Sequence, residues 1–240
     1  MPFINLILLQ AIAHLLADYT FQTKKMAVGK DKLGFKSKML KWHIGIVFIT
    51  SAILGLQWSF VPFSLAIALI HWLIDGCKPL MRRNIQLYKY VFFIDQTLHL
   101  LVFSLTVYLY TSYFNWKPLF GWELNSFVLV LILAFLFCTK PANILIREIF
   151  NAYEIFFEGG GEDLPNAGRL IGIIERWLVL VFIITGQFSA VGFLIGAKSI
   201  LRFKDANLLK TEYVLVGTLL SFGIAVIQGV LIHKFGFLLS

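Results

Sequence analysis

The chain has 240 residues, 59% of them hydrophobic and 14% charged, with 21 Lys and Arg against 13 Asp and Glu for a formal net charge of +8. A soluble domain is nearer a quarter charged, so this composition, with a mean hydropathy of +0.81, excludes an ordinary water-soluble enzyme and predicts a polytopic membrane protein. The positive balance does not point to nucleic acid, because no recognition module accompanies it and the charges fall into alternate loops.

In chain order, apolar stretches at 3–21, 43–57, 58–76, 91–112, 124–140, 170–187, 188–203 and 212–233 predict an all-α transmembrane bundle of seven or eight spans. Most are long enough for a hydrocarbon core of about 30 Å. The count turns on the junctions at Trp58 and Gly186. The first stretch lacks a basic leader, and "AHLLADYTFQTKK" is not a small-residue cleavage site, so it is expected to stay as a helix. Cys77 and Cys138 match no metal or redox spacing and read as small buried residues.

Lys24, Lys25, Lys30, Lys32, Lys36, Lys38 and Lys41 fill the first loop, and Lys78, Arg82, Arg83 and Lys89 the next alternate one. Lys140, Arg147 and Arg169 follow, then Arg202, Lys204 and Lys210, whereas the opposite loops hold little beyond Lys117 and Lys234. This asymmetry predicts cytoplasmic basic loops and both termini outside, with the first loop near anionic lipid headgroups.

Three apolar spans carry an acid and an imidazole four residues apart: His14 and Asp18 in "AHLLAD", His71 and Asp75 in "IHWLID", Asp95 and His99 in "DQTLH". Residues so spaced share one helix face. The order inverts in the third pair, as does the expected direction of its helix. Each Asp is thus expected nearer the cytoplasm, with its His about 6 Å deeper. His43 would start its span near the Asp level.

Ionisable groups inside spans are costly and mark functional sites. A divalent cation resolves the cost, with His14, Asp18, His71, Asp75, Asp95 and His99 as candidate ligands. Mixed nitrogen and oxygen donors suit zinc first, with manganese or iron as alternatives, and six or seven ligands leave room for two ions. Some Asp residues are alternatively partners that orient the histidines. His43 is a candidate general base, and Gln22, one turn beyond Asp18, a candidate for holding substrate or water at the mouth.

"EGGGEDLPNAG" at 158–168 is an acidic glycine-rich loop without the Gly-Lys-Ser/Thr ending of a phosphate loop. It divides residues 1–157, which carry the pairs, from a second membrane half at 169–240. There Glu175, Arg176, Lys198 and Arg202 lie in or at the edges of spans. They read either as interhelical ion pairs, Glu175 with Lys198 for instance, or as a clamp of Arg176, Lys198 and Arg202 for an anionic group.

At "HLLADYTFQ", "HWLID" and "DQTLH" the chain resembles a family of bacterial multi-pass membrane proteins catalogued as domain of unknown function 3307. That resemblance implies a location in the bacterial inner membrane and supplies no reaction. The paired His/Asp pattern is similar in style to inner-membrane proteins labelled metal-dependent hydrolases. The expected function is metal-assisted hydrolysis of a lipid-like or phosphorylated substrate, with membrane lipids as partners. The alternatives are ion or proton transport through the same residues, or a metal that only fastens helices together.

Overall fold

The computed structural model describes residues 2–121, 124–156, 167–202 and 208–236, and among them the only regular structure is helical. The chain forms two compact units, Met1–Leu133 and Ala134–Ser240, whose boundary falls inside a helix. The glycine-rich loop expected to divide the chain lies largely outside the described residues.

The first unit contains α1 (Pro2–Leu15), α2 (Lys24–Leu33), α3 (Lys38–Gly55), α4 (Val61–Arg83), α5 (Val91–Tyr113) and the start of α6 (Ser126–Phe137). Helices α1, α3, α4 and α5 form a closed ring, each packed on two neighbours, and α2 covers one end against α3 and α4. Their buried positions recur every three or four residues, as one helix face requires. On α5 these are Asp95, His99, Phe103, Val107 and Tyr110; on α4 they are Ser64, Ala68, His71 and Asp75. The bundle interior is therefore polar at the α2 end and apolar farther along, where Leu6, Phe60 and Val107 are fully buried. The far end is tied by the Trp116 indole, which donates to the Gly55 carbonyl at 2.8 Å, and by Tyr110, which donates to Gln57 at 2.8 Å.

The second unit holds the end of α6, α7 (Lys140–Ala152), α8 (Ala167–Ile184), α9 (Phe188–Arg202) and α10 (Leu208–Phe235). Helices α6 and α7 meet at a 50° bend. Pro141, in the first turn of α7, has no N–H to continue the ladder of α6.

Among the described residues five helices are long and apolar enough to cross a membrane, six if the bent pair is one span. The expected seven or eight are not established. Helix α8 carries Arg169, Glu175 and Arg176, and α9 has 15 residues, short for a hydrocarbon core.

Candidate metal centre

Each polar side chain of the centre is aimed by its helix. Helix α1 runs into a π-helical turn, Leu16–Phe21, which carries Asp18. Such turns are rare and recur at functional sites because they re-aim side chains. His43 stands one turn into α3, while His71 and Asp75 lie on α4 and Asp95 and His99 on α5. The three pairs and His43 converge at the α2 end of the ring. Asp18, His43, His71, Asp75, Asp95 and His99 are all buried, at 6% exposure or less.

Within each of two pairs the partners do not bond: His14 Nδ1 is 3.8 Å from Asp18 Oδ1, and His99 Nδ1 is 3.7 Å from Asp95 Oδ1. The third pair, His71 and Asp75 on α4, is closer at 3.3 Å, and the other short approaches are between helices. His43 Nε2 and His71 Nε2 are 3.1 Å apart. Asp18 Oδ1 lies 3.4 Å from the first and 3.5 Å from the second. Asp75 Oδ2 lies 3.5 and 3.3 Å from the same two nitrogens. Four donor atoms from three elements, α3, α4 and the turn after α1, therefore form two triangles sharing the His43–His71 edge. The five known edges span 3.1 to 3.5 Å. Ligands about 2.0 Å from a tetrahedral ion are separated by about 3.3 Å.

Among the cage atoms Asp18 Oδ1 has no hydrogen-bond partner, and other unpaired atoms lie around it. Asp18 Oδ1, Asp95 Oδ1, His43 Nδ1 and both ring nitrogens of His99 are buried without a hydrogen-bond partner. Such groups normally find one, since leaving one unpaired costs about 1–3 kcal/mol. Among the described residues three His/Asp groups, all buried but for the half-buried His14, have the spacing to hold a metal ion: His14, Asp18 and His71; His43, His71 and Asp75; Asp75, Asp95 and His99.

Two lysines enter the centre that sequence reading had counted only as loop charge. Lys30, 2% exposed on α2, donates to Asp75 Oδ2 at 2.7 Å. Lys78, 7% exposed, lies between Asp75 Oδ1 at 2.6 Å and Asp95 Oδ2 at 2.8 Å. An ammonium thus already bridges the two carboxylates of the third group. Gln96 is the other unforeseen member. Its amide donates to Asp95 at 3.0 Å, and its oxygen accepts from Tyr19 at 2.7 Å and meets His14 Nε2 at 3.2 Å. Lys78, three residues past Asp75, and Gln96, beside Asp95, were visible as neighbours of the pairs; Lys30 had no local signal.

The histidine rings pack against one another inward from the cage, tilted rather than stacked: His71 and His99 have centroids 3.9 Å apart, and His14 and His99 5.4 Å. Beyond them lies a cavity of about 20 Å³, room for one water, bordered by His14, His71, His99, Gln10, Thr50 and Ser51. Gln22 sits at the opposite, outer side, donating to the Asp18 carbonyl at 3.1 Å with its side-chain oxygen buried and unpaired.

Of the cationic residues named for the second unit, the structure describes the partners of two, Arg176 and Lys198. The Arg176 guanidinium, 1% exposed, donates to Cys138 O, Ser221 Oγ and Asn143 Oδ1, each at 2.8 Å, and to Thr139 O at 3.4 Å. Cys138 and Thr139 lie at the bend, where the carbonyls ending α6 have lost their helical partners. Lys198 pairs with Glu175. The Arg202 side chain lies outside the described residues.

Fold and site together define a helical protein with membrane-length helices and a buried His/Asp centre capping one end of a four-helix ring. The chain belongs to the family described as Protein of unknown function (DUF3307), which it matches over residues 6–138, a stretch containing every residue of that centre. No curated protein and no solved structure matches the chain.

Proposed function

We propose that the centre holds one divalent cation, zinc, between His43, His71, Asp18 and Asp75, and that the protein is a membrane hydrolase acting on a lipid-like or phosphorylated substrate reached from the cytoplasmic leaflet. The observation that carries this is the set of five donor–donor edges between 3.1 and 3.5 Å. They lie nearer the tetrahedral edge of about 3.3 Å than the octahedral one of about 3.0 Å, which favours zinc over manganese or iron.

A divalent cation would supply Lewis acidity there, lowering the pKa of a water and polarising an acyl or phosphoryl oxygen. The chain's own groups do the rest. Lys30 and Lys78 fix the Asp75 carboxylate from both sides, and Gln96 fixes Asp95 and His14. His99, with both nitrogens free of partners and facing the water-sized cavity, is placed to hold a water or take its proton. Three carboxylates, two ammonium groups and a divalent ion sum to one positive charge, so the loaded centre favours an anionic group. Hydrolysis is preferred to ion passage because the interior beyond the cavity turns to Leu6, Phe60 and Val107.

The test is elemental analysis of detergent-purified protein, followed by turnover on lipid and phosphoester substrates. About one zinc per chain is expected, lost in His71→Ala and Asp18→Asn. A metal-free wild type ends the proposal. Metal without turnover, together with metal or proton flux in liposomes, makes the centre a transport site. Metal with neither activity leaves it structural.

A further inference from the structure

Helix α2 has two faces with different tasks. Thr23 caps it, its hydroxyl accepting from Met26 N at 3.2 Å, and Gly34 ends it at φ +52°, a conformation that favours glycine. Met26 and Lys30 are buried beneath the helix, where Lys30 reaches Asp75. The contact is held by a close backbone approach, since a Cβ on Gly34 would lie 2.6 Å from the Gly76 carbonyl oxygen. The Phe35 ring then meets Trp72 edge-on at 4.8 Å.

The outward face is different. At 100° per residue Lys24, Lys25, Val28 and Lys32 fall together, and all four are exposed. Beyond the helix Lys36, Lys38 and Lys41 are exposed as well. The one acid in this stretch, Asp31, is spent on Arg82 at 2.9 Å. Exposed apolar residues are interleaved with the lysines: Phe21, Val28, Leu33, Phe35 and, at 71% exposure, Trp42. Lysines mixed with Trp, Phe and Leu characterise helices that lie in the membrane interface, where anionic headgroups supply the opposite charge. Trp42, next to His43, places that interface at the level of the centre.

We propose that α2 is a lid seated on anionic lipid headgroups: Lys24, Lys25 and Lys32 take the lipid phosphates on the outside while Lys30 holds Asp75 on the inside. The occupant is the phosphate of an anionic lipid, argued from the six exposed lysines between residues 24 and 41 and the apolar side chains among them. Lipid composition then governs how firmly the lid closes over the centre. This surface stands whether or not the centre proves to be a hydrolase.

The experiment is hydrogen exchange read by mass spectrometry on the full-length protein in lipid nanodiscs. Exchange across 24–33 slows about threefold or more when phosphatidylglycerol replaces part of the phosphatidylcholine, and molar salt removes the slowing. In Lys24→Gln/Lys25→Gln/Lys32→Gln, a surface variant whose fold is checked by its unchanged exchange in α5, the lipid effect is lost. Equal exchange of wild type in the two lipid mixtures overturns the proposal, as does a triple variant that keeps the effect. Inorganic phosphate added to phosphatidylcholine discs leaves exchange unchanged; slowing there assigns the face to free phosphate and also overturns it.

Discussion

Both units bury polar groups among apolar helices, but they finish them differently. Arg176 in the second unit has four acceptors for its guanidinium, two of them carbonyls at the bend after α6. In the first unit, buried acceptor and donor atoms face one another at 3.1 to 3.5 Å and several stay unpaired. A polar group buried for structure is satisfied by its own chain, because an unsatisfied one costs stability without return. A group buried for binding keeps lone pairs for something else. Arg176 is thus satisfied within its own unit, while the His/Asp cage keeps the unpaired atoms on which the proposed metal site rests.

The largest expected effect breaks the architectural side. Arg176→Ala strands the Cys138 and Thr139 carbonyls, Asn143 and Ser221 in one step, and is expected to cost about 3 kcal/mol or more, since each buried polar group left unpaired costs about 1–3 kcal/mol. Arg176→Lys recovers only part of this, since an ammonium cannot reproduce the planar fork. Thermal melts in detergent measure both. The metal content of whatever protein remains folded should match wild type.

Next is the cage itself. A ligand bound to the native state at about 100 times its Kd adds about 2.7 kcal/mol, so chelation should lower the wild-type melting temperature by the corresponding amount. His43→Ala should melt at the chelated value and ignore the chelator, whereas Arg176→Lys should still respond to it. If chelator moves neither wild type nor Arg176→Lys, the two units do not differ in the way described.

How much of this was legible in the sequence follows from the range of each interaction. The three acid–imidazole pairs declared themselves because four-residue spacing on a helix is a local property, and the inverted order on α5 followed from chain direction. Two of the pairs nevertheless do not bond internally; apart from His71 with Asp75, the short distances are between helices and depend on the ring packing of α1, α3, α4 and α5. Lys30 was illegible for the same reason: its partner lies 45 residues away, and a flexible lysine in a basic loop looks like its neighbours. The π-helical turn at Asp18 has no sequence signature at all. In the second unit, the Glu175–Lys198 pair was one of two readings available, while the role of Arg176 depended on a helix break whose carbonyls no spacing rule reveals.

A smaller effect sharpens the comparison inside the first unit. Lys78→Met removes the ammonium between Asp75 and Asp95, although Lys30 and Gln96 still donate to those carboxylates. The loss should be about 2 kcal/mol, in the range of one hydrogen bond to a charged group. The diagnostic readout is stoichiometry. With the internal cation gone, Asp75, Asp95 and His99 become a second cation site, and zinc content should rise from one toward two per chain.

The smallest effect separates the lid from the cage. A Cβ on Gly76 would fall inside the Phe35 ring, so Gly76→Ala must push that ring and the end of α2 away from α4. Overpacking of this kind costs about 1–3 kcal/mol, and the lower end is expected here because Phe35 is 41% exposed and has room to move. His43, His71, Asp18 and Asp75 all lie outside α2, so zinc content should stay at one per chain. Exchange across 24–33 should rise, because Lys30 loses its hold on Asp75. Loss of zinc in Gly76→Ala would mean that the cage owes its shape to α2 rather than to the four-helix ring, and the division between lid and centre would have to be redrawn.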